Sequence, residues 1–271
     1  MTKIKKYVTN DTNQIEKEKN QRDITFNSMT ANEWARNSRS VWKDMPTPRN
    51  YSFYDNGEII PEEVCDKIIS IYTKEGDKVL DPFMGKGNVV VSSIKNNRFC
   101  YGIEINEDYF KEAENNVLNS LNLLVNGEHE LYYGDCIDQL NWVPEECIQL
   151  VLTSPSYPIN KDTEISNDYS KMDKERYLNK IKDLMEMLYN KIIPGGYNVW
   201  VVNDYRDIKN GHPYVDMHSL IALKAQEVGF LYQDLIIYDH NDNRGLILQG
   251  YPSVFYANLN HSYIVVMRKP Q

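Results

Sequence analysis

From Ile60 to the C-terminus, segments of strand character alternate with segments of helical character, and this alternation most constrains the fold. Pro61-Glu62-Glu63 predicts a helix start, because proline loses no hydrogen bond at the first helical position and carboxylates there meet the positive end of the helix dipole. Val64, Ile68, Ile71 and Tyr72 continue it as one apolar face. Glu75-Gly76-Asp77 reads as a turn, and Val79-Leu80 as a short buried strand ended by Asp81-Pro82. Val89, Val90, Val91 and Ile94 mark the next helix. Six more strands follow: Phe99 to Ile105, His129 to Tyr133, Ile148 to Thr153, Asn198 to Val202, Leu231 to Tyr238 and Tyr263 to Met267. Asn106 is placed to cap a helix carrying Tyr109, Phe110, Ala113, Val117 and Leu121. Residues 173–192 predict a long helix through Leu178, Ile181, Leu184, Met185, Leu188 and Ile192, stopped by Pro194-Gly195-Gly196. Residues 216–228 predict another, ending near Gly229. Such a pattern implies an α/β fold, a doubly wound, mostly parallel, seven-stranded sheet with helices on both faces.

In this class ligands bind beyond the carboxyl ends of the strands. The first unusual residues lie there, in Asp81-Pro82-Phe83-Met84-Gly85-Lys86-Gly87. Gly85 and Gly87 allow a tight turn and close approach of backbone to a ligand, and the helix behind them presents unpaired N–H groups. No GKS or GKT follows the spacing of a P-loop, and Val90 stands where a third glycine would complete GxGxxG. Glu104 ends the second strand, 17 residues after Gly87, where a carboxylate can accept two hydrogen bonds from a ribose diol. Asp135, in Tyr133-Gly134-Asp135-Cys136, ends the third strand, where it could receive an adenine amine.

The second unusual stretch follows the fourth strand: Thr153-Ser154-Pro155-Ser156-Tyr157-Pro158. Its prolines break the strand and fix an extended turn. Ser154 and the Pro155 carbonyl are acceptors, and Tyr157 offers a ring for stacking. Together they suit an exocyclic amine on an aromatic heterocycle.

With both motifs in view, the chain resembles the S-adenosylmethionine-dependent DNA amino-methyltransferases, in the order with the cofactor half first. Asp81 to Gly87 is similar to the family's Asp-Pro-Phe-x-Gly-x-Gly, with Lys86 where a small serine is more usual. Ser154-Pro155-Ser156-Tyr157 is similar to its (Ser/Asn/Asp)-Pro-Pro-(Tyr/Phe) signature, with Ser156 in place of the second proline. Gly102-Ile103-Glu104 with Asn106 and Tyr109 resembles the ribose-binding stretch. Serine at the first position resembles the cytosine-N4 subgroup; aspartate would point to adenine-N6. The resemblance runs from about residue 50 to the end. It implies a Rossmann-like methyltransferase fold with an antiparallel final strand. It also implies S-adenosylmethionine as cofactor, held by Asp81, Pro82, Phe83, Gly85, Gly87, Glu104, Asp135 and Cys136. The catalytic residues it implies are Ser154, Pro155 and Tyr157, acting on a flipped cytosine in double-stranded DNA. A cognate restriction endonuclease is a further partner it suggests. An adenine-N6 enzyme, an RNA base methyltransferase and a non-catalytic cofactor-binding subunit are the alternatives, the last because of Lys86 and Ser156.

Charge bears on the partner. The net charge is −9, which excludes a uniformly polycationic nucleic-acid coat protein. Residues 1–50 nevertheless hold 10 Lys+Arg against 6 Asp+Glu. This divides the chain into a basic, partly disordered N-terminal arm with an aromatic segment (1–50) and a catalytic domain with inserted recognition loops (51–271). DNA contacts are expected from Arg36, Arg39, Lys43 and Arg49, from the loop 159–172, and from the loop 239–261 with Arg244. Trp34 and Trp42 read as packing residues. The four cysteines lack CxxC spacing and read as reduced thiols, with no metal site implied. No apolar run approaches the roughly 20 residues that span a bilayer, and the polar N-terminus lacks a signal-peptide core, so a cytoplasmic protein is expected.

Overall fold

A computed structural model describes residues 27, 29–43, 45, 59–121, 127–156, 173–208, 211–240, 256–257 and 259–271. The chain begins with α1 (Ala31–Asn37) and β1 (Val41–Trp42). Then come α2 (Glu62–Tyr72), β2 (Lys78–Asp81), α3 (Asn88–Lys95), β3 (Phe99–Glu104), α4 (Glu107–Leu121), β4 (His129–Tyr133), α5 (Cys136–Gln139) and β5 (Ile148–Thr153). α6 (Lys174–Lys191) runs directly into β6 (Ile192–Val202). A hairpin of β7 (Tyr205–Asp207) and β8 (His212–Val215) precedes α7 (Met217–Val228), β9 (Leu231–Asp239) and β10 (His261–Arg268).

The main sheet has the order β1-β9-β10-β6-β5-β2-β3-β4. β10 is antiparallel to both of its neighbours, and the other pairs are parallel. One face is covered by α2, α3 and α4 through Val64, Ile68, Val90, Ile94, Ala113 and Val117. The other is covered by α6 and α7 through Tyr177, Ile181, Leu184, Leu188, Ile221 and Ala225. β5, in the middle, is buried at all six residues, so Ile148, Leu150, Val151 and Leu152 do not alternate with exposed polar ones, and Gln149 and Thr153 are buried with them.

The expected doubly wound sheet and its antiparallel last strand are present, with three differences in detail. The sheet has eight strands, because β1 adds to β9 through Val41 opposite Ile237 and Trp42 opposite Tyr238. Two residues carry too little periodicity to read as a strand. Pro194-Gly195-Gly196 does not separate α6 from the next strand; it lies inside β6 as a bulge, where pairing with β5 jumps from Ile148–Ile192 to Leu150–Tyr197. Gly195 takes φ +80° there, a conformation that favours glycine. The hairpin β7–β8 forms a separate two-stranded sheet beyond the carboxyl end of β6. Trp42 is a packing residue as expected, 2% exposed beneath Lys67, whereas Trp34 is 46% exposed on α1. Among the described residues, no helix is long and apolar enough to cross a membrane.

Candidate active site

The turn after β2 is held by its own backbone and by β3. Phe83 N–H donates to Asp81 Oδ1 (3.1 Å), Met84 N–H to the Ile103 carbonyl (2.8 Å) and Gly87 N–H to the Met84 carbonyl (3.0 Å). Gly85 and Gly87 take φ +55° and +88°. A Cβ at Gly87 would lie 3.1 Å from Ala113 Cβ, so glycine there lets α4 approach. Among the described residues, a Cβ at Gly85 would meet nothing within 4 Å, so its side of the turn is open to them. Among the described residues no side chain caps α3, whose N-cap is Gly87. Lys86 is turned away: its ammonium pairs with Glu112 of α4 at 3.1 Å and lies over the Tyr109 ring. Lys86 thus braces α4. Pro82 lies in this turn, and Phe83 is half-buried edge-on to Trp200.

Glu104 is buried at the end of β3. Its Oε2 accepts from Gly85 N–H and its Oε1 from Asn106 N–H, both at 2.7 Å. The carboxylate therefore reaches across to the glycine turn. Asn106 caps α4 as expected, accepting from the N–H groups of Asp108 and Tyr109. Asp135 is the N-cap of α5 and accepts from Ile137 N–H (3.0 Å). Cys136 is buried in the apolar cluster that includes Tyr101 and Leu140.

The exit from β5 lies beside that of β2. Thr153 Oγ1 donates to Asp81 Oδ1 at 2.6 Å, and both residues are buried. Ser154 and Pro155 are also buried, and Ser156 is half-buried. Tyr157 lies outside the described residues. Burial lifts the Asp81 carboxyl to about 7, and the neighbouring Glu104 charge adds to the rise; the Thr153 hydroxyl and Phe83 N–H pull it the other way. Asp81, Gly85 and Glu104 therefore meet at one end of the central strands, with Thr153 leading into Ser154 beside them.

One polar network here was not read from the sequence. Asp204, just past β6, accepts from Tyr214 Oη of the hairpin at 2.6 Å. His218 Nδ1 of α7 lies 3.0 Å from Asp204 Oδ1 and 3.0 Å from Asp216 Oδ1, and its ring stacks on Tyr263. Asp204, Asp216 and His218 lie close enough to share a cation, but the His218 Nδ1 is engaged by both carboxylates. Arg206 ties the hairpin down by donating to the carbonyls of Pro213 and Ala257 (2.9 and 2.8 Å). Asp204 and His218 are 14 positions apart on different elements, so no local motif signals them.

Of the basic residues expected to meet DNA, Arg36, Arg39 and Lys43 are exposed around α1 and β1. Arg49, Arg244 and the loop 159–172 lie outside the described residues, as do residues 1–24 and most of the loop 239–261. Cys65, Cys100, Cys136 and Cys147 are all free thiols.

Comparison with known proteins gives the following. Residues 1–115 match the N6/N4 methyltransferase family described as DNA methylase, a span that contains the glycine turn and Glu104. The type II methyltransferase M.SmaI of Serratia marcescens is 32% identical over 83 residues, 31% of this chain and 27% of that protein. M.BglI of Bacillus subtilis is 33% identical over 95 residues, 35% of this chain and 26% of that protein. The matches thus span about a quarter of these relatives' length. A solved SAM-dependent methyltransferase from Methanosarcina mazei superposes with a TM-score of 0.52 at 14% identity, covering 75% of this chain and 97% of that one, a likeness of fold.

Proposed function

We propose that the chain, whose residues 1–115 match the N6/N4 DNA methylase family, is a site-specific DNA methyltransferase, moving a methyl group from S-adenosylmethionine to the N4 amine of a cytosine. The observation that carries this reading is the side-by-side exit of the two motifs from adjacent parallel strands, joined by the Thr153–Asp81 bond.

The residues of the first motif fit that cofactor. Two buried carboxylates, Asp81 and Glu104, face an open glycine turn, a donor set suited to a cationic, hydroxyl-bearing ligand. When bound, S-adenosylmethionine supplies a methyl group on a positively charged sulfur. Asp81 would hold the methionine amine, Glu104 the ribose hydroxyls, and Asp135 the adenine amine. Pro82, Phe83, Gly85, Gly87 and Cys136 would line the same site.

The target would leave the duplex stack, at roughly a few kcal/mol, and stacking on Tyr157 would offset about 1–3 kcal/mol of that. An exocyclic amine is a poor nucleophile because its lone pair is delocalised into the ring. Ser154 Oγ and the Pro155 carbonyl would accept its two N–H bonds and favour a more tetrahedral nitrogen. Their burial excludes competing water and makes positioning the main source of acceleration. No cysteine nucleophile is needed. Arg36, Arg39 and Lys43, with Arg49 and Arg244, would grip the DNA backbone. A cognate restriction endonuclease is the expected companion.

Single-molecule sequencing of DNA from cells expressing the protein, with nucleoside digestion, tests the reading. N4-methylcytosine at one sequence is expected. N6-methyladenine alone would move the target to adenine. Methyl transfer to structured RNA but not to DNA would change the substrate class. S-adenosylmethionine binding without transfer would leave a non-catalytic subunit.

A further inference from the structure

β2 and β5 are neighbours at the centre of the sheet, yet their register pairs are only two: Val79 with Leu150 and Leu80 with Val151. Past them, where the two functional turns leave, the link becomes a side-chain bond, from Thr153 Oγ1 to Asp81 Oδ1 at 2.6 Å. Thr153 is wholly buried and Asp81 is 3% exposed. Asp81 opens the glycine turn, and Thr153 immediately precedes Ser154. One bond therefore spans the cofactor side and the target side.

The surroundings of Asp81 make this bond matter. The Phe83 N–H is the other donor to Oδ1. Glu104, from β3, contributes like charge. The Cys65 thiol of α2 and the Cys100 thiol of β3, themselves pushed up by burial, are neutral. Asp81 is thus a buried carboxyl steadied by two hydrogen bonds and opposed by a neighbouring carboxylate.

We propose that Thr153 is a positioning residue that couples the two halves of the site: its hydroxyl holds the Asp81 carboxylate ready for a cationic ligand, and the same bond fixes the strand end that carries Ser154. This rests on the methyltransferase reading above. Removing the hydroxyl takes away one of the two donors that favour the anion, so the carboxyl keeps its proton to higher pH. A cation then binds only with release of that proton. The strand end also loses its tie, so the target amine is held less well.

The test compares wild type, Thr153→Val and Thr153→Ser by calorimetric titration with S-adenosylmethionine from pH 6 to 9, and by methyl transfer to DNA carrying the recognised site. For Thr153→Val, affinity at pH 7 is expected to fall about tenfold, the size of one hydrogen bond to a charged group. The affinity–pH curve is expected to shift up by about one pH unit and to rejoin wild type near pH 9. Turnover is expected to stay low there, and Thr153→Ser to restore both. A loss independent of pH, no loss, or a serine variant as impaired as valine would overturn the coupling. Should Thr153→Val not fold, wild type alone decides: proton release on cofactor binding near pH 7, measured in buffers of different ionisation enthalpy, supports the proposal, and none across pH 6–8 overturns it. A wild type that binds no S-adenosylmethionine overturns the methyltransferase reading as well; pH-independent binding overturns only the coupling.

Discussion

The turns after β2 and β5 leave the sheet side by side but are held in different ways. The first is closed by backbone donors: Phe83, Met84, Gly85 and Gly87 each give an N–H to Asp81, Ile103, Glu104 or Met84. Its shape follows from the fold, before any ligand arrives. Of the second, Ser154 to Ser156 are described; Pro155 has no N–H to give, and the tie to the neighbouring strand among the described residues is the Thr153 side chain. A site for a common cofactor can be built rigidly from main chain. On the proposed function, the turn meant for the target base borrows its placement from the element next to it.

Four substitutions sharpen or break this contrast. Ser154→Ala acts on the second turn alone: kcat is expected to fall about 100- to 1,000-fold, by analogy with loss of one preorganised hydrogen-bonding group, while calorimetry shows unchanged cofactor affinity. A parallel loss of affinity would mean that the turns are not separable in this way. Asp81→Asn acts on the first turn through pH. The folded carboxyl titrates near 7 and an unfolded one near 4, so from about pH 4 to 7 the folded state retains a proton that the unfolded chain has released. The ligand-free protein should therefore lose stability as pH rises through that window, by on the order of a few kcal/mol. Urea unfolding at pH 5 and pH 8 should show asparagine removing this part of the fall, and equal slopes would count against it. Gly102→Ala places a Cβ against Met84 Sδ and 3.0 Å from Val90 Cγ2, pressing on the first turn from β3. Overpacking of this kind costs about 1–3 kcal/mol, read as a lowered urea midpoint. Lys86→Ala is the smallest change. Its pair with Glu112 is partly exposed, so stability should move by less than about 1 kcal/mol, with cofactor affinity intact. A tenfold loss of affinity would place Lys86 in the site after all.

The features legible in the sequence are those whose cause is local. Asn106 caps α4 from two and three residues away, and Gly229 ends α7 with φ +114°. Ile148, Leu150, Val151 and Leu152 of β5 announce a doubly covered strand by breaking the alternation of a one-sided one, although Gln149 and Thr153 are buried there too. Glu104 could be placed at a strand end, but its reach to Gly85 N–H depends on the pairing of β2 with β3. Asp135, at a strand end where it could receive an adenine amine, also caps α5 through its Oδ1, a local role that follows from aspartate directly preceding Cys136 and Ile137. What the sequence hid is non-local. The Asp204–His218–Tyr263 network joins β6, α7 and β10, and Pro194-Gly195-Gly196 looks like a terminator until β5 is present to pair around it.

β1 is only two residues long, but its position sets an order of events as the chain is made. Its partner in the sheet, β9, is synthesised roughly two hundred residues later. Trp42 ends almost wholly buried against Tyr238 and Ile236, which do not exist until then. The earliest strand in the described chain is therefore among the last to be seated, and contacts this distant in sequence form slowly. A nascent chain halted before Leu231 would leave the exposed cations beside β1 attached to an undocked segment. The burial of Trp42 thus reports the docking of β1 on β9.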